Sequence, residues 1–158
     1  MNPFATLTGT PGAMASSMYE ALMATTTDEV GSTYCNLCTT LEFPDDHSWV
    51  IFNLRDDIKF SDGTPVTAKT FAAIFERLNA DGTASPTRAL FENIKSVKEN
   101  GTAVNISLKS PTPQLPELLA HPALAAIPLH RIVNVGDKWT NDRPMITSGA
   151  YQLQDWQL

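Results

Sequence analysis

Apolar residues recur at two different spacings in the middle of this chain. Val50, Phe52 and Leu54 alternate with positions on the opposite face, which predicts a strand over residues 49–54. A charged stretch and a dense turn signal at Asp62-Gly63 follow, and we expect the glycine to adopt a positive φ. Beyond this turn apolar residues recur at helical spacing, which predicts a helix over residues 67–78 with Thr67 as its N-cap and an apolar face of Phe71, Ile74, Phe75 and Leu78.

Strand patterns return in the second half of the chain, on either side of a hairpin signal. Residues 94–98 and 103–109 are the two segments, and the Asn100-Gly101 dipeptide between them favours a tight turn. Because these segments share their period with residues 49–54, we expect all three to form one mostly antiparallel sheet.

The predicted helix and a further strand candidate complete this sheet region. Phe71 and Phe75 are expected to pack on the sheet. Residues 39–43 have strand character and reach the first strand through a turn at residues 44–48. In that turn His47 is expected to be a solvated polar side chain.

Outside the sheet region the apolar pattern is less regular, and it predicts secondary structure for five segments. Residues 13–23 carry methionines at helical spacing, which predicts a helix whose Met-rich face packs in the core or, as the alternative, lines an adaptable ligand surface. A short helix is expected from Leu115, a buried strand at residues 123–127 and a helical turn at residues 129–132. Residues 147–156 have strand character and are expected to return the chain toward its beginning.

The run Phe52-x-Leu54-Arg55-x-x-Ile58-Lys59-Phe60-Ser61-Asp62-Gly63-Thr64-Pro65-Val66-Thr67-Ala68 resembles a signature of a known family. It is similar to the extracytoplasmic solute-binding proteins of family 5, the peptide-binding components of bacterial ABC importers. Three further stretches resemble parts of the family in the same order, namely Asn2 to Pro11, Met18 to Met23 and Thr147 to Trp156. One departure lies at Lys69-Thr70, where the family carries an acidic pair, and this weakens the expected capping box and helix-dipole contributions.

The resemblance implies an α/β fold of the α+β kind. It implies a mostly antiparallel sheet with covering helices, as part of a type II periplasmic-binding-protein-like architecture. Family members are longer and have further lobes, so the expected division is a partial first-lobe segment at residues 1–40, a small lobe at 41–146 and a return segment at 147–158. The family also implies a periplasmic or extracytoplasmic location. Met1-Asn2-Pro3 lacks the basic and apolar regions of a leader peptide, so we expect that such a leader was removed or precedes the chain.

The resemblance also implies a ligand and a set of partners. The ligand is an oligopeptide in the full-length protein, the partners are ABC permease subunits in the membrane, and the protein is a monomer. The carboxylate that pairs with the peptide's amino terminus belongs to the C-terminal lobe. The ligand-binding positions that the resemblance implies here are Thr8, Gly9, Thr10, Pro11, Ser85, Thr87 and Gly149. Many peptide binders have an aromatic residue near the position of Thr87, and Gly149 has a plain turn as its alternative role.

Composition and motifs limit the remaining function classes. The formal charge of −6 argues against a nucleic-acid partner, which requires a basic surface. No catalytic constellation is found in the sequence, so we expect neither an enzyme nor a cofactor or metal site. For Cys35 and Cys38 we favour structural thiols in small buried slots, with a disulfide or a redox or metal site as alternatives. The rival function is a stand-alone interaction or sensor domain that reuses the solute-binding fold.

Overall fold

The computed structural model describes residues 12–80, 87–141, 144–153 and 155. Within these ranges the strands are β1 (Met23–Thr25), β2 (Thr33–Cys35), β3 (Cys38–Glu42), β4 (Trp49–Leu54), β5 (Ile94–Asn100) and β6 (Ala103–Leu108). The α-helices are α1 (Gly12–Met18), α2 (Ala68–Asn79), α3 (Leu115–Leu118) and α4 (Leu129–Val135), and 3-10 helices cover Arg88–Phe91, Pro122–Leu124 and Gly136–Asn141.

The centre of the fold is an antiparallel sheet with the strand order β3-β4-β6-β5, as the alternating patterns predicted. Val50 is paired with Ile106 and Phe52 with Val104, so these side chains share one face. Helix α2 packs on β5 and β6. Its residue Phe71 is buried, whereas Phe75 is half-buried and packs against the same core.

Helix α2 starts where the N-cap prediction placed it. Thr67 is the N-cap, and its backbone N–H donates a 3.2 Å hydrogen bond to the hydroxyl of Thr70. The threonine hydroxyl therefore replaces the carboxylate that a family member would carry in the first turn. This satisfies an N–H group at the helix start that would otherwise lack a partner, although it brings no charge to the helix dipole.

Both predicted glycine turns are confirmed. Gly63 has a φ of 86° and Gly101 a φ of 62°. Asp62 Oδ1 accepts a 3.0 Å hydrogen bond from the Thr64 N–H, which closes the turn ahead of α2. The Gly101 turn joins β5 to β6, with Asn100 opposite Ala103.

The helix predicted over residues 13–23 is wrong beyond Met18. Helix α1 ends there, the Tyr19 N–H makes a last bond to the Ala15 carbonyl, and β1 begins at Met23. The Met18 carbonyl accepts instead from the N–H groups of Ser148 and Gly149. Tertiary hydrogen bonds thus take the acceptors that a longer helix would have used.

Two predicted strands are also wrong. Residues 123–127 form the end of the 3-10 helix Pro122–Leu124 and a buried extended stretch, which does not join a sheet. Residues 147–153 contain no strand, while Gln154 and Trp156 lie outside the described residues. In both segments the backbone makes separate hydrogen bonds to groups that are distant in sequence, such as the bond from the Ala126 N–H to the Glu20 carbonyl. These bonds do not form the regular ladder of a sheet. Local pattern matched a strand, but the partner strand is missing from the described part of the chain.

The favoured interpretation of the cysteines is corrected. Cys35 and Cys38 form a disulfide, with Cα atoms 5.3 Å apart. This separation lies in the roughly 4.4–6.8 Å range that a disulfide requires. Cys38 is buried, as expected, but Cys35 is only half-buried.

The expectation for His47 is corrected as well. The side chain is half-buried, and its ring stacks on Phe43 with ring centroids 5.2 Å apart and an interplanar angle of 21°. Its backbone has a φ of 50°, in the left-handed region. A turn histidine next to a strand-end aromatic can therefore pack on that ring and lose much of its contact with water.

Candidate functional site

Residues 17–23, which we call the crossover segment, tie the beginning of the described chain to its end. The Ser148 hydroxyl stands at the centre of this junction. It accepts a 3.1 Å hydrogen bond from the Glu20 N–H and donates a 2.7 Å hydrogen bond to the Ala126 carbonyl. The Ala126 N–H in turn donates to the Glu20 carbonyl over 2.8 Å. One hydroxyl therefore links three segments that are distant in sequence.

Gly149 lies directly against the end of α1. Its N–H donates a 2.8 Å hydrogen bond to the Met18 carbonyl. An ideal Cβ at this position would stand 2.7 Å from the Ser17 carbonyl oxygen and 2.8 Å from the Met18 carbonyl carbon. Both are backbone atoms, so only glycine allows the return segment to approach this closely.

The disulfide-linked turn contacts the other side of the crossover segment. The N–H groups of Asn36 and Leu37 donate to the Leu22 carbonyl over 2.9 and 3.3 Å. The Asn36 side-chain amide donates to the Ala21 carbonyl over 3.1 Å. Because these groups lie in or beside the Cys35–Cys38 loop, the disulfide restrains the turn that supports the crossover segment.

The family-like signature turn meets the return segment through Ser61. The Ser61 N–H donates to the Thr147 carbonyl over 2.8 Å, and the Ser61 hydroxyl accepts from the Thr147 N–H over 3.0 Å. The Gln152 side chain reaches the same hydroxyl over 3.1 Å. The signature run and the return segment thus form one hydrogen-bonded unit.

The adjacent Asp62 is bound to α4. Its Oδ2 lies 2.7 Å from His130 Nε2, and the two side chains are about one-third exposed. Partial burial acts against the charged carboxylate, but the hydrogen bonds from Thr64 and His130 outweigh it and lower the pKa of Asp62. A carboxylate is therefore held in its charged form beside the junction.

Two titratable side chains of the crossover segment are affected by burial. Burial raises the pKa of Glu20, and the positive charge of Arg55 opposes this shift. Burial also raises the pKa of Tyr19, whose hydroxyl donates a 3.3 Å hydrogen bond to the Ile146 carbonyl. Both groups lie at the junction, and Tyr19 stays neutral across the physiological range.

Within the described part of the chain, the groups that meet at this junction are mainly hydrogen-bond donors and acceptors. Residues 12–80, 87–141, 144–153 and 155 contain no grouping of three or more His, Cys, Asp or Glu side chains suited to a metal ion. The same residues contain no helix of the length and apolarity required to cross a bilayer. What the arrangement supplies is a rigid set of backbone and hydroxyl groups that position the two chain ends.

The residues predicted to bind ligand are only partly described. Thr8, Gly9, Thr10, Pro11 and Ser85 lie outside the described residues. Thr87 is buried and precedes the 3-10 helix Arg88–Phe91, where its carbonyl accepts from the Leu90 N–H over 3.0 Å.

Gly149 stands at the junction itself, on a different element from Thr87, and its close approach to α1 gives it a structural role.

Sequence reasoning missed the side chains that build the junction. Ser148 and Asn36 make its bridging hydrogen bonds, yet neither residue stands in a pattern with a recognisable period. The nearest signal was the Ser148-Gly149 pair, since glycine next to a hydroxyl residue is compatible with a close backbone approach. Nothing in the local sequence indicated that the partner would be Glu20.

Comparison with known proteins extends these observations. The sequence model of the bacterial extracellular solute-binding proteins, family 5 (middle region), matches residues 32–158. The periplasmic oligopeptide-binding protein OppA of Salmonella typhimurium is 34% identical over 123 residues, which cover 66% of this chain and 23% of that protein. The periplasmic murein peptide-binding protein MppA of Escherichia coli is 31% identical over 147 residues, covering 81% of this chain and 27% of that protein. The chain spans about a quarter of the length of these curated relatives.

A solved structure shows the same fold. Listeria monocytogenes OppA bound to peptide superimposes with a TM-score of 0.86 at 23% identity, covering 99% of this chain and 35% of that one. At this identity the likeness concerns the fold alone. The predicted combination of helices with an antiparallel sheet, in a binding-protein architecture, is thereby confirmed.

Proposed function

Because this chain belongs to the bacterial extracellular solute-binding proteins of family 5, we propose that it forms part of a protein that captures oligopeptides for an ABC importer. The observation that carries the proposal is the 34% identity to an oligopeptide-binding protein over 123 residues. The proposed role is binding rather than catalysis, at a periplasmic or extracytoplasmic location. Its partners are the peptide and, for delivery, membrane permease subunits, and the binding protein acts as a monomer.

We propose that residues 1–40 belong to a first lobe, 41–146 to a small lobe and 147–158 to the return into the first lobe. The hydrogen bonds between the crossover segment and residues 146–151 support this division. They place residues 17–23 of the proposed first lobe against the return segment, while the sheet lies between these two segments in sequence. Lobes that close on a ligand move about a hinge of a few residues where the chain passes between them.

The proposed ligand contacts come from the positions that the family resemblance implies. An extended peptide is held through main-chain donors and acceptors, while tolerant pockets receive its side chains. Gly149 lies at the junction and Thr87 at the start of a 3-10 helix, and we propose that the bound peptide runs beside both positions. The remaining positions that we propose for the site are Thr8, Gly9, Thr10, Pro11 and Ser85.

Titration of the 158-residue chain with a mixture of tri- to pentapeptides tests this proposal. Since the chain spans about a quarter of its relatives' length, we expect most of a bound peptide's surface to stay in water. A missing charge-assisted hydrogen bond to the peptide's amino terminus alone costs about 1.5–3 kcal/mol, on the order of 10- to 100-fold in affinity. We therefore expect dissociation constants of about 1 mM or weaker.

Two measurements separate the outcomes. Amide chemical shifts should move near Thr87 and Gly149 on peptide addition, and an equimolar mixture of free amino acids should leave them unchanged. Calorimetry should detect no micromolar binding. Micromolar binding would show that the site is complete within residues 1–158 and would favour the stand-alone domain. Shifts absent from both positions would contradict the proposed site.

A further inference from the structure

An apolar cavity lies at the β3–β4 end of the sheet. It measures about 160 Å³ and is formed where α3 and the segment before it pack over the β3–β4 hairpin. Phe43, His47 and Trp49 line one side, and Pro113 and Pro116 line the other. Of the residues proposed to bind the transported peptide, the structure describes Thr87 and Gly149, and neither of these two contributes to the cavity.

The cavity's size selects the kind of occupant. Sites for small-molecule ligands measure about 300–1,000 Å³, so a cavity of 160 Å³ suits a single anchoring side chain. Its mouth is formed by large apolar side chains that remain accessible, since Phe43 is 53% and Trp49 38% exposed. Aromatic residues that stay exposed around a small pocket are typical of protein-binding surfaces.

The rim of the cavity is held in place before any partner arrives. The His47 N–H donates to the Pro44 carbonyl over 3.0 Å, and the His47 ring stacks on Phe43. Asp46 Oδ1 accepts a 3.1 Å hydrogen bond from the Ser48 N–H. The turn between the two aromatic walls is therefore fixed by its own hydrogen bonds, which lowers the entropic cost of docking.

Of the residue types Asp, Glu, Lys and Arg, the two stretches that line the cavity contain only the acidic ones. The two stretches that line it, residues 41–52 and 112–119, contain the acidic residues Glu42, Asp45, Asp46 and Glu117 and neither Lys nor Arg. The Glu42 carboxylate is bound by Asn53 on the opposite face of the sheet. Asp45, Asp46 and Glu117 are exposed beside the cavity-lining residues. A docking segment is thus favoured if its anchor is apolar and its flanks are basic.

We propose that this cavity is a docking site for a basic segment of a partner protein that inserts one phenylalanine-like side chain between Phe43, Trp49 and Pro116. The cavity supplies the apolar contact, and the Asp45, Asp46 and Glu117 carboxylates select the flanking lysines or arginines. This contact is separate from the capture of transported peptide. It gives the predicted small lobe a binding surface of its own.

The test uses the isotope-labelled 158-residue chain and three capped probe peptides. Acetyl-KKFKK-amide is the designed ligand, acetyl-KKAKK-amide lacks the anchor and acetyl-EEFEE-amide reverses the flanks. We expect saturable amide shifts confined to residues 41–52 and 112–119 with the first peptide. The other two should each bind at least about tenfold more weakly, because each keeps only one of the two recognition elements.

Variants of the chain complete the test. Phe43→Ala and Trp49→Ala should each lower the affinity for acetyl-KKFKK-amide at least about fivefold. Glu117→Lys should reduce the ratio of the affinity for acetyl-KKFKK-amide to the affinity for acetyl-EEFEE-amide. Leu90→Ala removes an exposed apolar side chain elsewhere and should leave binding unchanged, and circular dichroism checks that each variant is folded. Equal binding of acetyl-KKFKK-amide and either control peptide would overturn the proposal. So would the absence of shifts, or shifts that map to Gly149.

Discussion

Replacing Gly149 by alanine tests the junction most directly. The added Cβ would stand 2.7 Å from the Ser17 carbonyl oxygen, 2.8 Å from the Met18 carbonyl carbon and 3.0 Å from the Met18 oxygen. All three atoms belong to the backbone, so no side-chain rotation relieves the contact. Gly149 is not among the positive-φ glycines, and the effect therefore reports the close approach rather than backbone strain.

The expected cost follows from the contacts that must change. Overpacking of this kind costs about 1–3 kcal/mol. Relief by moving the return segment would also lengthen the Gly149–Met18 hydrogen bond of 2.8 Å and the Ser148–Met18 hydrogen bond of 3.2 Å. A lost hydrogen bond contributes a further 0.5–1.5 kcal/mol or so. We expect a total loss of about 2–4 kcal/mol in the free energy of unfolding.

Urea denaturation of the 158-residue chain measures this loss. With a slope of about 2 kcal/mol per molar urea, the midpoint should fall by about 1–2 M. The neighbouring exposed position supplies the control, since Ala150→Ser should leave the midpoint in place. Hydrogen exchange at the Tyr151 amide should accelerate in the glycine variant. An unchanged midpoint for Gly149→Ala would refute the inference that the close approach is required.

Three further predictions concern the sheet region and its turn. Gly63→Val should destabilise by more than about 1 kcal/mol, because a β-branched residue resists its φ of 86°, and a melting temperature equal to the parent's would contradict this. Phe71→Ala should cost about 3–5 kcal/mol and Phe75→Ala clearly less, since only Phe71 is fully buried; equal urea midpoints would show that the packing is misjudged. The pKa of Asp62 is lowered, so its stabilising effect over Asp62→Asn should be present above its ordinary pKa of 3.8 and disappear as the pH falls through the lower folded value. Melting temperatures of the two proteins followed from about pH 6 down to about pH 2 measure this, and a difference that stays constant over the whole range would argue against it.

Most of the sheet could be predicted because two of its three strand pairings are local. The β3–β4 and β5–β6 hairpins join neighbouring strands through short turns, of which the Asn100-Gly101 signal marks one. The third pairing, between β4 and β6, joins strands distant in sequence, and the shared alternation of the two strands predicted it. Helix α2 likewise carries its own N-cap and apolar face, Thr67 and Phe71 included. For these elements the pattern within about a dozen residues contains the decisive contacts.

The junction could not be predicted for the opposite reason. The Met18 carbonyl and the Glu20 N–H are bound by residues more than a hundred positions away, and their partners override the helical pattern of residues 13–23. The same applies to residues 123–127, whose Ala126 bonds Glu20 rather than a neighbouring strand. Of the candidate site, the family resemblance implied Gly149 as a ligand-binding position or a plain turn, while the bridging role of Ser148 depends on contacts that the sequence does not display.

Ser148 makes hydrogen bonds to residues that are distant in sequence, and this has a consequence for the order of folding. The β3–β4 hairpin closes across 9 residues, from Glu42 to Ile51, whereas the bond between Glu20 and Ser148 closes a loop of 128 residues. Loop-closure entropy makes the longer closure costlier by about 2 kcal/mol. We therefore expect the hairpins to form first and the crossover segment to dock last, onto a sheet that is already complete. We also expect thermal fluctuations to detach the crossover segment from the return segment before they open the sheet.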